Sequence, residues 1–172
     1  AADLIAQLSE ERGEALLELM ETEEAEDVRF LLSYAPDTAG GLMTTEPIIV
    51  SSDTTVAEGL ALIRRHELAP ALGAAVCVTL PPYEPPTGRF LGMVHFQRML
   101  RYPPNERLGT LLDQSLEPVL ANTHAAEVAR RLASYNLVSV PVVDENHRLV
   151  GVVTIDDVLD YLLPDDWRST DH

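Results

Sequence analysis

Two side chains near the carboxyl end of the chain have the types and the spacing needed to bind a nucleotide. Thr154 and Asp157 lie three residues apart, between a predicted strand over 148–153 and a predicted helix over 156–162. At such a turn a hydroxyl and a carboxylate can hydrogen-bond the diol of a ribose, while the amino end of the helix faces phosphate. The same spacing suits a helix cap, with Thr154 as N-cap and Asp157 as the acidic member of the box. Both interpretations stay open at this point.

The carboxylates of the same segment are candidate ligands for a divalent cation. Asp157 and Asp160 are three residues apart and share one face of the predicted helix, and Asp156 lies one residue off that face. Like charges on one face cost stability unless a cation or a base neutralises them. Because Mg²⁺ keeps most of its waters and needs only one or two carboxylates, loosely clustered acids are enough to bind it.

An internal repeat indicates which elements position these residues. Residues 89–100 and 148–159 share one frame: Arg, two apolar residues, Gly, two apolar residues, four variable positions and two apolar residues. The first copy has His95 and Arg98 where the second has Thr154 and Asp157. Neither residue can accept a ribose hydroxyl proton as a carboxylate does. We expect Arg98 in a surface ion pair, with contact to the phosphate of a ligand in the other site as the alternative.

Apolar periodicity predicts the order β-α-β-β-α twice. The predicted strands are 48–50, 74–79, 90–94, 118–120, 138–143 and 148–153, and the predicted helices are 56–66, 97–101, 125–135 and 156–162, with Thr123 as the cap of the third. Mostly apolar strands fit small sheets covered by helices. The predicted fold class is therefore α/β (α+β), with two such units after a short all-α segment over 1–34. The units should pack about a pseudo-two-fold axis, and a symmetric homodimer should cover the faces that remain exposed.

Composition limits the function classes. The net charge of −16 argues against nucleic-acid partners and favours divalent cations. Cys77, the one cysteine, is expected to be a small buried hydrophobe. The longest apolar run, residues 68–80, is too short to span a bilayer. No catalytic constellation emerges from the histidines or from glycine-rich motifs, so no enzyme is predicted.

The second repeat resembles a known family. Residues 138–144, Val-Ser-Val-Pro-Val-Val-Asp, and 148–159, Arg-Leu-Val-Gly-Val-Val-Thr-Ile-Asp-Asp-Val-Leu, are similar to a tandem CBS-domain pair, or Bateman module, and the similarity covers about 43–163. In CBS domains a Gly-x-x-Thr-x-x-Asp motif binds adenosine nucleotides. The resemblance implies binding of ATP, ADP or AMP, with the base held along 138–140; the matching residues are Gly151, Thr154, Asp157, Val138 and Val140.

The connector before the first unit narrows the resemblance. Residues 34–46 resemble the junction between the N-terminal helical domain and the CBS pair of MgtE-type magnesium transporters, and the acidic segment 1–34 resembles the end of that domain. In those proteins, carboxylates matching Asp157 and Asp160 help bind regulatory Mg²⁺ between the CBS pair, the N-terminal helices and a connecting helix. The resemblance implies a sensor that is compact when Mg²⁺ is plentiful and splayed when it is scarce. One position that is acidic in that family is Asn136 here.

These patterns give one expected function and two alternatives. We expect a non-catalytic cytoplasmic regulatory module that senses Mg²⁺; the alternatives are an adenine-nucleotide sensor and a dimerisation module without a ligand. The predicted boundaries are 1–34 for the end of the helical domain, 35–47 for the connector, 48–112 and 113–163 for the two units, and 164–172 for the tail. Pro164 interrupts the last helix, which favours a soluble relative over a transporter whose membrane part was removed.

Overall fold

Two three-stranded sheets, each accompanied by helices, form the body of the chain. The computed structural model describes residues 34–65, 70–113 and 115–163. The predicted mixed α/β fold class is confirmed. In chain order the elements are α1 (Ala39–Leu42), β1 (Ile49–Val50), α2 (Val56–Ile63), β2 (Ala75–Thr79), β3 (Phe90–His95), α3 (Phe96–Met99), β4 (Val119–Leu120), α4 (Ala125–Ser134), β5 (Ser139–Val143), β6 (Leu149–Thr154) and α5 (Ile155–Leu162), with 3₁₀ turns at Leu72–Ala74 and Leu108–Thr110.

The two sheets have the same topology and the same register. Their orders are β1-β2-β3 and β4-β5-β6, with a parallel first pair and an antiparallel second pair. In the second sheet Val142 pairs with Val119 on one side and with Gly151 on the other. The first sheet pairs its central strand in the same way, and both sheets carry an irregularity one residue further along that strand. The repeated frame in the sequence therefore corresponds to a repeated three-dimensional unit.

A shared apolar cluster joins the two units. Each unit has its own cluster between sheet and helices, and a third cluster takes buried side chains from both sheets. Backbone hydrogen bonds reinforce this contact: the Phe90 N–H donates to the His147 carbonyl at 2.8 Å, and the Thr87 N–H donates to the Leu149 carbonyl at 3.0 Å. The buried members of the third cluster are Ala75, Cys77, Phe90, Met93, Val143, Leu149 and Val152.

Each unit also receives a piece of backbone from the segment that precedes the other unit. Thr44, before the first sheet, exchanges two hydrogen bonds with Val152 of β6, at 2.8 and 3.0 Å. Asp113, before the second sheet, donates its N–H to the Met93 carbonyl of β3 at 2.9 Å. The last strand of each sheet is thus covered at its outer edge, as a stable sheet edge requires. We call 43–44 and 112–113 the crossing segments.

The helix ends differ from the sequence prediction. The helix predicted over 56–66 ends at Ile63, and the one predicted over 97–101 is Phe96–Met99. Thr123 was predicted to cap the third helix, but the cap is His124, whose Nδ1 accepts from the Ala126 N–H at 3.1 Å. The reason is that the Thr123 carbonyl accepts from the Ala39 N–H at 2.8 Å, which fixes that residue before the helix begins.

One helix was not predicted, and some predictions lie outside the described residues. Helix α1 begins after Thr38, whose side chain accepts from the Gly41 N–H, inside the segment predicted as an irregular connector. The helices predicted over 1–33 and the stop at Pro164 fall outside the part of the chain that the structure describes. Among the described residues, no helix has the length and apolar character needed to cross a membrane.

Candidate functional site

Thr154 and Asp157 meet where β6 passes into α5, and they form a complete capping box. The Thr154 Oγ1 accepts from the Asp157 N–H at 3.2 Å. Asp157 Oδ2 in turn accepts from the Thr154 N–H at 3.3 Å and from its hydroxyl at 2.8 Å. The cap is therefore present in the structure. Since both hydrogen bonds to the carboxylate use Oδ2, they leave Oδ1 as the atom that could accept from a ligand hydroxyl.

The three other residues predicted to bind a nucleotide, Val138, Val140 and Gly151, differ in their exposure to solvent. Val138 is 41% exposed, and its carbonyl accepts from the Ile155 N–H at 2.8 Å, so it adjoins the start of α5. The Val140 side chain is fully buried in the apolar cluster of the second unit. Gly151 is buried under a crossing segment, and a Cβ there would lie 2.5 Å from the Thr44 carbonyl oxygen. Of these residues, the structure brings Val138 next to the Thr154 cap.

The three candidate metal ligands, Asp156, Asp157 and Asp160, all lie on α5. Asp157 is half-buried, and Asp156 and Asp160 are exposed. Among the residues that the structure describes, no group of three or more His, Cys, Asp or Glu side chains is placed to hold a metal ion. A cation at these aspartates would thus need ligands from water or from outside the described ranges.

The equivalent position in the first unit opens into a cleft that the sequence analysis did not predict. Its volume is about 770 Å³. Arg98 lies over the ring of Tyr102, with its Cζ 5.6 Å from the ring centroid, and makes no salt bridge with a carboxylate of the described ranges. The spacing of Arg98, Arg101 and Tyr102 was the available signal, since it places them close together after β3. The polar lining is His95, Gln97, Arg98, Arg101, Tyr102 and Asp113.

Asp113 at the rim of this cleft is held ionised. Its carboxylate accepts from the Ser115 hydroxyl at 2.6 Å and from the Ser115 N–H at 3.1 Å. The hydroxyl bond is the largest cause that lowers the pKa of Asp113, and the nearby charges of His95 and Arg98 add to it. Both hydrogen bonds from Ser115 fall on the Asp113 Oδ1, and Asp113 forms no salt bridge with Arg98.

Cys77 has no role in a site. The thiol is 1% exposed in the middle of β2, and burial raises its pKa to about 12. A neutral, inaccessible thiol is neither a nucleophile nor a metal ligand at physiological pH. The prediction of a small buried hydrophobe is confirmed.

The curated relatives of this chain include magnesium transporters. The magnesium transporter MgtE of Thermus thermophilus is 35% identical over 147 residues, which are 86% of this chain and 32% of that protein. The magnesium transporter MgtE of Bacillus subtilis is 28% identical over 148 residues, which are also 86% of this chain and 32% of that protein. The chain thus spans about a third of the length of these relatives.

Solved structures and a family model agree with the repeat. The cytosolic domain of the Mg²⁺ channel MgtE in complex with ATP superposes with a TM-score of 0.80 at 32% identity, covering 94% of this chain and 64% of that one. The soluble part of a magnesium transporter gives 0.80 at 25% identity, covering 96% and 62%. The family model described as "CBS domain" matches residues 39–105 and again 109–164. The resemblance to a CBS pair of the MgtE type is confirmed, and the chain belongs to the CBS-domain family, with two copies of the domain in tandem.

Proposed function

We propose that this chain is a non-catalytic, cytoplasmic regulatory module of an MgtE-like protein and that it senses Mg²⁺. The observation that supports this most directly is the 35% identity to a magnesium transporter over 86% of the chain. A relative of the same fold is described as the cytosolic domain of a Mg²⁺ channel. In this proposal residues 48–112 and 113–163 are the two units, 35–47 the connector, 164–172 the tail and 1–34 the end of a helical domain.

The distribution of charge supports a role for a divalent cation. Residues 113–163 carry eight carboxylates against three arginines, and residues 1–34 carry ten against two. Residues 48–112 carry five against six. The second unit and the amino-terminal segment therefore repel each other, and a divalent cation held between them would reduce that repulsion. The candidate ligands in the second unit are Asp156, Asp157 and Asp160.

The test compares Mg²⁺ with a monovalent salt. Millimolar MgCl₂ is expected to lower the radius of gyration in X-ray scattering and to raise the melting temperature, because the cation favours the compact state. NaCl at equal ionic strength measures simple screening and is expected to do less. Equal responses to the two salts would contradict Mg²⁺ sensing.

Matched variants locate the effect. Asp156→Asn combined with Asp160→Asn removes two exposed carboxylates from α5 and is expected to abolish most of the response to Mg²⁺. Glu84→Gln combined with Glu145→Gln removes two exposed carboxylates elsewhere and is expected to preserve it. If both pairs lose the response equally, the effect belongs to net charge and the assignment to α5 fails.

The second candidate function is binding of an adenine nucleotide by the second unit. It is favoured by the solved relative that contains ATP and by the Asp157 Oδ1, which takes no part in the cap hydrogen bonds at a turn that adjoins Val138. Asp157→Asn keeps an oxygen for the helix cap but loses the charge, so it should weaken AMP binding at least tenfold in calorimetry while the fold persists. Asp160→Asn is the control. Unchanged AMP affinity in Asp157→Asn would remove the ribose assignment.

We also propose that the CBS pair forms a homodimer, which would suffice for a scaffold without a ligand. Several large apolar side chains of the described residues stay exposed in one copy, among them Leu100 at 65% and Tyr135 at 61%. A dimer interface that covered these side chains would remove their apolar surface from water. Sedimentation velocity is expected to show a dimer, and a monomer at all concentrations would contradict the proposal.

A further inference from the structure

We propose that the cleft of the first unit, lined by His95, Arg98 and Arg101, binds the phosphate chain of a di- or triphosphate and does so without recognising a nucleoside. This inference does not depend on the proposed Mg²⁺ sensing, which rests on the second unit. The shared ligand chemistry is a chain of linked phosphates, whether inorganic or attached to a nucleoside. We call this site the phosphate cleft.

The charge of the first unit favours an anionic ligand. The chain as a whole is strongly anionic at −16, yet residues 48–112 carry six arginines against five carboxylates. Two of these arginines, Arg98 and Arg101, line the same cleft, and neither forms a salt bridge with a carboxylate of the described ranges. Asp113, the carboxylate at the rim, accepts both of its hydrogen bonds from Ser115. The guanidinium groups therefore remain available to an anionic ligand.

The volume of the cleft and the placement of Arg98 suit a chain of phosphates. A volume of about 770 Å³ lies within the usual range of small-molecule sites, so it can hold several linked phosphates with their water. Arg98 is steadied by the Tyr102 ring, since the guanidinium carbon lies 5.6 Å from the ring centroid. A guanidinium held in this way presents a planar fork that can hydrogen-bond two phosphate oxygens at once. His95 and Gln97 add further polar groups to the same cleft.

The comparison between the two units argues against a nucleoside in this cleft. The second unit has a hydroxyl and a carboxylate at the turn, which can hold a ribose diol, whereas the first unit has His95 and Arg98 at the same places in the repeat. The Arg98 guanidinium has only donors, so unlike Asp157 it cannot accept hydrogen bonds from the two hydroxyl groups of a ribose. The anionic oxygens of a phosphate, in contrast, accept hydrogen bonds from the guanidinium. The expected ligand is therefore recognised by its phosphates.

The experiment is calorimetric titration of the full chain with inorganic tripolyphosphate, in sodium buffer without Mg²⁺. We expect saturable binding that Arg98→Gln combined with Arg101→Gln weakens at least tenfold. Arg64→Gln combined with Arg89→Gln changes the net charge equally at exposed positions away from the cleft, and it should leave the affinity within twofold. Weakening by both pairs to the same extent would overturn the proposal, because it would show attraction to net charge alone.

A second arm separates inorganic from nucleoside phosphates. Here ATP and adenosine are titrated into Asp157→Asn, which removes the ribose candidate of the second unit. ATP is expected to bind within tenfold of tripolyphosphate and to lose affinity in the Arg98 and Arg101 variant, and adenosine is expected not to bind. ATP binding without tripolyphosphate binding, or adenosine binding that the arginine variant removes, would overturn recognition by phosphate. No binding of tripolyphosphate would overturn the site itself.

Discussion

Gly151 shows how a residue of a binding motif can be required for packing. A Cβ at this position would lie 2.5 Å from the Thr44 carbonyl oxygen and 2.8 Å from the Met43 sulfur. The sulfur belongs to a flexible side chain and can move, but the carbonyl is held by its hydrogen bond from the Val152 N–H at 3.0 Å. The glycine therefore allows the crossing segment to lie directly on β6, whatever the ligand of the second unit.

Gly151→Ala is expected to destabilise the chain by about 2 kcal/mol, because the crossing segment must move away from β6. Denaturation in urea measures the loss. Gly73→Ala is the matched control, since its nearest neighbour, the Ile63 Cγ2, would be at an ordinary 3.9 Å. If Gly151→Ala lowers the free energy of unfolding no more than Gly73→Ala does, the crossing segment can move away from β6 at little cost.

Cys77 gives a pH dependence of stability that can be isolated. Burial raises the pKa of the native thiol to about 12, whereas the unfolded thiol ionises near its ordinary pKa of 9.0. The stabilising difference is fully present below the unfolded pKa and is lost as the pH rises toward the native one. Between these values the residue should remove about 1.4 kcal/mol of unfolding free energy per pH unit.

Comparison with Cys77→Ala tests this assignment. The variant is expected to be less stable at neutral pH, because it leaves a cavity in β2, but its stability should fall less steeply above pH 9. All other side chains are common to the two proteins, so their contributions cancel in the difference of the two slopes. Parallel pH profiles would mean that the thiol does not set the slope.

Sequence reasoning at this scale succeeded for local chemistry and failed for contacts between distant segments. A helix cap was one of the two interpretations of Thr154 and Asp157, because the whole pattern lies within four consecutive residues, and the structure contains that cap. The packing requirement for glycine at position 151 was not predicted, because Thr44, the residue that a Cβ there would meet, lies far away in the sequence. The phosphate cleft was missed because Arg98 was interpreted alone, without the ring of Tyr102 that holds it.

At the scale of elements, the strands were predicted closely and the helix ends less so. The strands are continuous apolar runs buried on both faces, as in β5 and β6, so their composition defines them. Helix α2 ends at Ile63, three residues before the predicted end at position 66, and the polar residues Arg64 and Arg65 follow it. Helix α1 has only four residues and two of them are glycine, so neither periodicity nor propensity indicates it.

The two helix caps supply a prediction at this scale. Thr154→Ala removes both side-chain hydrogen bonds of the α5 cap and is expected to cost about 1 kcal/mol. Thr123→Ala is expected to cost less than about 0.5 kcal/mol, because the α4 cap is His124 and Thr123 contributes its backbone carbonyl. Thermal or urea unfolding measures both. A larger loss of stability in Thr123→Ala than in Thr154→Ala would show that Thr123 caps α4, as the sequence predicted.

At the scale of the whole molecule, the crossing segments make each unit incomplete without the other. The edge of β6 is covered by Thr44 and the edge of β3 by Asp113. Each sheet is therefore hydrogen-bonded to the backbone of the segment that precedes the other unit. The third apolar cluster lies between the units and draws on both sheets. A ligand that binds one unit can therefore influence the other through backbone as well as through packing, which suits a regulatory module.

This arrangement predicts that the pair folds as one unit. In calorimetry the whole chain should give one transition for the two units, with a van't Hoff enthalpy equal to the calorimetric one, because neither sheet keeps its edge pairing alone. A fragment of residues 113–163 would expose Val143, Leu149 and Val152 and lose the hydrogen bonds between Val152 and Thr44, so it should lack a cooperative melting transition. Restoring 34–47 as a separate peptide should not rescue it, since the cluster also needs Met93 and Phe90 from the first sheet. A fragment that melts cooperatively, or two separate transitions in the whole chain, would show that the units are independent and that communication between them must rely on a ligand alone.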